Sequence, residues 1–250
     1  MSESGASAIA EETAFTVVKG DPDAPVFITC EHASQRLPAP WSWPEADQRL
    51  VGTHWAYDLG AREITLELAA ALRATAVLAE FSRLLVDANR AEGHPDLFRP
   101  VADGELVMLN QSLSPSEREL RMHRYHRPYH QAVDTALLDA RAPLLFSVHS
   151  FTPVYEGTIR NVELGVLYDE QEEHAFALGA ALARELPNVA YNEPWSGKDG
   201  LIYSAEVHSR RNQRVALEIE VRQDLAVDPS YRARLIPLLA DYISQTFVVR

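Results

Sequence analysis

The sequence predicts a single α/β domain, a three-layer α/β/α sandwich around a mostly parallel, mixed sheet. Three observations carry that prediction. Short apolar runs alternate along the chain with longer segments of helical periodicity, the order that builds parallel sheets covered on both faces. Two of the runs, Pro25 to Cys30 and Leu144 to Val148, are apolar at nearly every position, as strands buried on both faces are. The 250 residues suffice for one large core, and no repeat or linker composition divides them.

Taken in order, residues 1 to 13 read by composition as a flexible tail and 14 to 250 as the single domain. Phe15 to Val18 is expected to form a short edge strand before the turn Gly20-Asp21-Pro22-Asp23. Pro25 to Cys30 follows as a central strand and stops at Glu31-His32-Ala33-Ser34. Leu37 to Pro44, rich in proline and tryptophan, fits no regular element and is expected to lie over the surface near that strand end. An amphipathic helix is predicted from about Leu59 to Ala74. Strand-like runs at Ala76 to Phe81 and Leu84 to Val86 then close on Asp87-Ala88-Asn89-Arg90. Residues 91 to 113 read as a long loop, a kind of segment that tends to carry function.

Ser114-Pro115-Ser116-Glu117 is a capping box with proline at the first helical position, so a helix begins there. Pro128 is expected to break it near Arg127. A second helix, Pro128 to about Ala140, delivers the chain to a strand that ends at His149-Ser150, because Pro153 forbids its continuation as a central strand. Beyond it come a strand at Val162 to Tyr168, a helix at Glu170 to Leu186, and a short strand closing on Tyr191-Asn192-Glu193-Pro194. The glycine-rich Ser196 to Gly200 is a candidate mobile lid. A strand at Arg214 to Arg222 and a helix from Pro229 to about Phe247 complete the chain.

Charge and cysteine content narrow the function. Acidic residues outnumber basic ones 36 to 23, a net charge of −13. Nucleic acid and anionic membrane surfaces are repelled by such a field. With one cysteine, Cys30, no intrachain disulfide forms, and Cys30 reads as a buried strand residue rather than a nucleophile. The first residues lack the basic and apolar regions of a signal peptide and no run is long enough to span a membrane, so the cytoplasm is the expected location.

In open α/β sheets, side chains just past the carboxyl ends of strands line the ligand crevice. His32 and His149 stand at two such ends, and with a carboxylate (Asp58, Glu31 or one in the neighbourhood of Gln35) they make candidate ligands for a catalytic zinc, which takes three protein ligands and leaves one position for water. Glu218 and Glu220 share one face of an apolar strand, where an unpaired carboxylate is costly. An edge strand with its polar face in water is one explanation; a general base acting on an activated water is the other. Asn89 and Arg90, with Arg83 upstream, form a donor cluster suited to binding a carboxylate. His54 is read as a partner of Asp58 or as a capping residue. His123, His126 and His130 share helical spacing, but Pro128 interrupts the face; His94, His174 and His208 read as surface or structural.

Cys30-Glu31-His32-Ala33-Ser34, His54-x-x-x-Asp58-Leu59-Gly60-Ala61 and Ser82-Arg83-Leu84-x-Val86-Asp87-x-Asn89-Arg90 resemble the N-formylglutamate amidohydrolase family. So do Arg127-Pro128-Tyr129-His130, His149-Ser150-Phe151-Thr152-Pro153 and Glu220-x-Arg222-Gln223-Asp224-Leu225. The motifs run in order from about residue 25 to 225. Further off, Val86 to Arg90, His149-Ser150 and Glu220-Val221-Arg222 look like the carboxylate-binding segment, last zinc ligand and catalytic glutamate of zinc carboxypeptidases. The resemblance implies a zinc-exopeptidase-like fold and hydrolysis of N-formyl-L-glutamate to glutamate and formate. It implies zinc on His32, Asp58 and His149, with Asp58 replacing the usual glutamate because Gln35 occupies that place. Glu220 becomes the base, with Glu218 its alternate, and Glu31 the alternate ligand or base. Asn89 and Arg90 are implied to hold the substrate carboxylate, His130 to order the site or touch substrate and Tyr203 to close over it; Arg160 is read as meeting a second carboxylate or as a solvated arginine. The implied partner is a small N-acyl amino acid.

Overall fold

A computed structural model describes residues 13–249; the expected N-terminal tail, Thr13 apart, lies outside the described residues. The elements in chain order are β1 (Phe15–Val18), β2 (Val26–Cys30), α1 (Ala61–Leu72), β3 (Thr75–Ala79), the hairpin β4 (Val101–Ala102) and β5 (Glu105–Leu106), and α2 (Pro115–Arg121). Then follow α3 (Arg127–Asp139), β6 (Leu144–Phe151), the hairpin β7 (Val154–Tyr155) and β8 (Thr158–Ile159), β9 (Leu164–Leu167), α4 (Glu172–Leu182) and β10 (Val189–Tyr191). The chain closes with α5 (Tyr203–Asn212), β11 (Val215–Arg222), the short α6 (Gln223–Ala226) and α7 (Pro229–Thr246).

The main sheet has seven strands in the order β1-β3-β2-β6-β11-β9-β10. Strands β3, β2, β6 and β11 run parallel at its centre; β1 pairs antiparallel with β3, and β9 antiparallel with β11. Apolar residues of α1, α4 and α7 pack on one face with Val26, Ile28, Phe146, Val148, Leu217 and Ile219. On the other, α3 packs with Phe27, Leu145 and Ala216. This is the expected three-layer α/β sandwich with a mostly parallel sheet.

Three local expectations are corrected. Pro128 does not break the helix. It has no N–H to offer the carbonyl four residues back, and the chain widens into a π-turn over Met122–His126, closed by the Arg127 N–H on the Met122 carbonyl, before α3 continues. Leu84 to Val86 is fully buried, as a strand would be, but it is a turn: Ser82 Oγ receives the Leu84 N–H and donates to the Ala56 carbonyl, which folds the backbone away from the sheet. The segment read as a continuous loop over 91 to 113 holds the β4–β5 hairpin, whose turn residues Asp103 and Gly104 both have positive φ, the two-residue geometry that Asp-Gly favours.

The candidate lid at Ser196 to Gly200 contains a 3-10 turn over Gly197–Asp199, and Gly197 is pinned. A Cβ at Gly197 would stand 2.4 Å from the Tyr168 carbonyl oxygen, so only glycine permits that approach. The helix that follows, α5, is absent from the sequence-based expectations, because its polar Ser-Ala-Glu-Val-His-Ser-Arg-Arg run has little apolar periodicity.

Candidate active site

Strand register builds the site. On the α3 side of the sheet, Phe27, Leu145 and Ala216 supply apolar packing toward the amino ends. Toward the carboxyl ends the same faces of β2, β6 and β11 turn polar. Thr29, Ser147 and Glu218 stand in one row, His149 and Glu220 in the next, with Glu31 and His32 just past β2. Period-two alternation therefore stacks the titratable groups at one end of a single sheet face.

Asp58 is brought beside His32 by a backbone bond, its N–H donating to the His32 carbonyl at 3.0 Å. The chain then enters α1 through Gly60, whose φ of 81° is left-handed; a Cβ there would lie 2.4 Å from the Ala226 carbonyl carbon.

The buried side chains of His32, Asp58 and His149 converge, with one candidate ligand atom from each within 4.8 Å of the others. Asp58 Oδ2 lies 2.8 Å from His149 Nδ1 and 3.4 Å from His32 Nδ1. The opposite nitrogen of each ring is taken: His32 Nε2 meets Asp87 Oδ1 at 2.7 Å, and His149 Nε2 meets Glu31 Oε2 at 3.1 Å. His32 Nδ1 is buried without a hydrogen-bond partner. Ligands at about 2.0–2.2 Å around a tetrahedral ion stand roughly 3.3 Å apart, so the spacing fits a small cation with His₂Asp ligation. The charge balance fits one too. Glu31, Asp58, Asp87, Glu218 and Glu220 are all buried, and Arg83 bridges two of them, at 3.3 Å from Asp58 Oδ1 and 3.3 Å from Asp87 Oδ2.

The same charges perturb protonation. Burial opposes ionisation of Asp58, but the His32 charge and the His149 hydrogen bond outweigh it and hold its carboxyl below the usual range. Glu220 behaves oppositely. Burial, with the negative charges of Asp58 and Glu218, pushes its carboxyl well above the ordinary value despite His149 and Arg83. Burial likewise raises Glu218 to about 7, with Glu31 and Asp58 adding to it and His149 opposing. Of the two glutamates only Glu220 lines the pocket, and its Oε2 is buried without a partner.

That pocket, a cavity of about 230 Å³, opens over His32, Asp58 and His149. Arg83, Asn89, Arg90 and Arg160 are among the residues that line it. Asn89 is already committed: its Nδ2 donates to the Leu201 carbonyl at 3.2 Å, and its Oδ1 accepts the Ser204 N–H at 3.0 Å, fastening the start of α5. Arg90 donates to the Asn89 carbonyl at 2.8 Å, while its Nε is buried and unpartnered. Arg160 meets no carboxylate among the described residues. Its guanidinium lies over Tyr155 at 4.7 Å and Trp195 at 4.8 Å. His54 also lines the pocket; burial, with Arg83 next, pulls its pKa down to about 4, so it is a neutral wall residue at neutral pH.

Two residues expected at the substrate lie outside this pocket. His130 and Tyr203 line a separate groove between α3 and α5. The unforeseen α5 holds them there: His208, on that helix, meets His130 Nδ1 at 2.8 Å and Asp134 Oδ1 at 2.6 Å. His208 is thus fully buried and structural. Glu31, the alternate ligand, contacts the far nitrogen of His149, away from Asp58. Sequence reasoning also missed the role of Asp87. Its Oδ1 accepts the Asn89 N–H at 2.9 Å as well as facing His32, and the Asp-x-Asn spacing, which favours such a turn, was the available signal.

A mixed sheet covered by helices on both faces, carrying a buried imidazole–carboxylate cluster and a basic pocket at its carboxyl ends, is the framework of an enzyme that hydrolyses amide bonds. The sequence profile of the N-formylglutamate amidohydrolase family matches residues 24–227, and the chain belongs to that family. No curated protein matches the chain. Among solved structures, the gene product Atu2144 from Agrobacterium tumefaciens is similar at 27% identity, with a TM-score of 0.88 over 94% of this chain and 95% of that one. The N-formylglutamate amidohydrolase from Ralstonia eutropha JMP134 shares the fold at 19% identity, with a TM-score of 0.65 over 94% of this chain and 97% of that one.

Proposed function

We propose that this amidohydrolase is zinc-dependent and cleaves the N-acyl amide of an acidic amino acid, with N-formyl-L-glutamate and water giving L-glutamate and formate. The observation that carries the reading is the convergence of His32, Asp58 and His149 beneath a basic pocket with the unpartnered carboxylate of Glu220 in its wall. The three residues would hold zinc, which supplies Lewis acidity for the amide carbonyl and acidifies a water.

The remaining work falls to side chains. Glu220 takes a proton from the attacking water and returns it to the leaving amine nitrogen, the role its unpartnered Oε2 in the pocket wall suits. Arg90, with the second N–H of Asn89 Nδ2, holds the α-carboxylate, and that anchor fixes the reacting carbon over the ligands. Arg160, which lies over Tyr155 and Trp195 and donates to the Thr152 carbonyl, receives the side-chain carboxylate. Arg83 stays braced on Asp58 and Asp87 with its face to the pocket.

A larger acyl group than formyl is the second reading, favoured by the Trp55, Tyr155 and Trp195 wall. Formate and glutamate release from N-formyl-L-glutamate, set beside N-acetyl, N-succinyl and N-benzoyl glutamate and N-formyl-leucine, tests both. Fastest turnover of the formyl diacid supports the first; a bulkier acyl group turned over far faster replaces it with the second. Zinc-loaded protein that cleaves none of them contradicts both.

A further inference from the structure

Glu31 is a buried carboxylate, 1% exposed, that the reaction above leaves unused. Three donors converge on it: the Tyr129 hydroxyl reaches Oε1 at 3.0 Å, and Ser147 Oγ and His149 Nε2 reach Oε2 at 2.8 and 3.1 Å. The His149 ring is therefore held by both edges, by Glu31 at Nε2 and by Asp58 Oδ2 at Nδ1, 2.8 Å away. A neutral imidazole carries one N–H and one lone pair, and whatever faces one nitrogen decides what the other presents. Both flanking carboxylates only accept, Glu31 at Nε2 and Asp58 at Nδ1; a cation that takes the Nδ1 lone pair leaves the ring's one proton on Nε2, where Glu31, aimed by its two hydroxyl donors, receives it.

We infer that Glu31 is the positioning residue that sets the tautomer and orientation of His149 for metal ligation, with Tyr129 and Ser147 keeping its carboxylate aimed. The inference rests on the reading of His32, Asp58 and His149 as the metal ligands. Glu31 cannot share in ligation itself, because it touches the ring on the side away from the other two. Glu218 approaches the same Nε2 only to 3.7 Å and so holds it less closely. The arrangement mirrors the grip of Asp87 on His32 Nε2, so each imidazole has its own carboxylate behind it. In both cases the holder comes from a different segment than its ring, which ties the carboxyl ends of β2 and β6 to the turn after Val86.

The test is zinc affinity of the full chain by chelator competition. Glu31→Gln preserves size but offers an amide N–H to Nε2, favouring the tautomer with its proton on Nδ1, which cannot ligate. Affinity is expected to fall about 10–100-fold. Tyr129→Phe with Ser147→Ala, which spares the Glu31 carboxylate but removes its two hydroxyl donors, should show a smaller loss in the same direction. Glu218→Gln should show less than Glu31→Gln. At saturating zinc, the KM of Glu31→Gln should stay at the wild-type value, since Glu31 does not line the pocket. Wild-type affinity in Glu31→Gln, or in the Tyr129→Phe/Ser147→Ala chain should Glu31→Gln fail to fold, overturns the inference. If His149→Ala loses zinc in that same experiment, the metal site itself stands; if His149→Ala also keeps zinc, the ligand reading fails and the role of Glu31 with it.

Discussion

Glu220 and His149 are register partners on adjacent parallel strands, so their side chains leave the same face of the sheet side by side. Two residues along, Glu218 is paired with Ser147 in the row beneath, behind the pocket rather than in it. One strand thus carries two buried glutamates with the same orientation and different access.

That difference gives the first prediction. Glu220→Gln should lower kcat about 10²–10⁴-fold, the usual contribution of a general base, with zinc content unchanged. Glu218→Gln should retain most activity. Kinetics beside metal analysis on both variants checks this; near-normal turnover in Glu220→Gln would move the base elsewhere.

Asp87 holds His32 Nε2 and also closes the turn that presents Asn89. Asp87→Asn keeps the turn acceptor but can hold His32 in the wrong tautomer. Zinc affinity should fall about 10–100-fold while the melting temperature of the metal-free protein changes little. Chelator competition and thermal melting together read it.

Arg160 should decide between one carboxylate and two. Charge-assisted hydrogen bonds contribute about 1.5–3 kcal/mol. Arg160→Gln should therefore raise KM for N-formyl-L-glutamate roughly 10–100-fold and leave kcat and the KM for N-formyl-leucine unchanged. An equal change for both substrates would remove Arg160 from the side-chain subsite.

His54 sets a signed pH effect. Its folded pKa is depressed to about 4 from an ordinary 6.5, by burial first and then by Arg83. Below pH 6.5 the unfolded chain binds the proton that the folded protein refuses, so stability is lost as pH falls from about 6.5 toward 4. Glu218, raised to about 7, acts in the opposite sense, gaining stability as pH falls through that value. His54→Asn removes only the first contribution. Its urea midpoint should fall less between pH 7 and 5 than that of the wild type, and an equal or steeper fall would contradict the assignment.

The sheet and the cluster of titratable side chains at its carboxyl ends are legible because both follow from period-two alternation and abrupt strand ends. Glu31-His32 after Cys30, His149 before Pro153, and Glu220 in an apolar run are all local signals. Asp58 came from pattern resemblance, and the structure brings it to His32 through a backbone bond no local rule reveals. The misreadings share a cause. Pro128 inside a helix reads as a break because a π-turn leaves no sequence mark. The polar α5 was missed because it is stabilised by buried contacts of Ser204 and His208 rather than by an apolar stripe. With α5 missing, His130 and Tyr203 had no reason to face the groove they line.

The most direct test is reversible removal of the metal. Zinc is stripped from the purified protein by a chelator, and formate release from N-formyl-L-glutamate is followed as zinc is returned. The account predicts no turnover in the stripped protein, recovery in proportion to zinc up to one ion per chain, and no zinc retention in His149→Ala. Undiminished turnover by metal-free protein would contradict it.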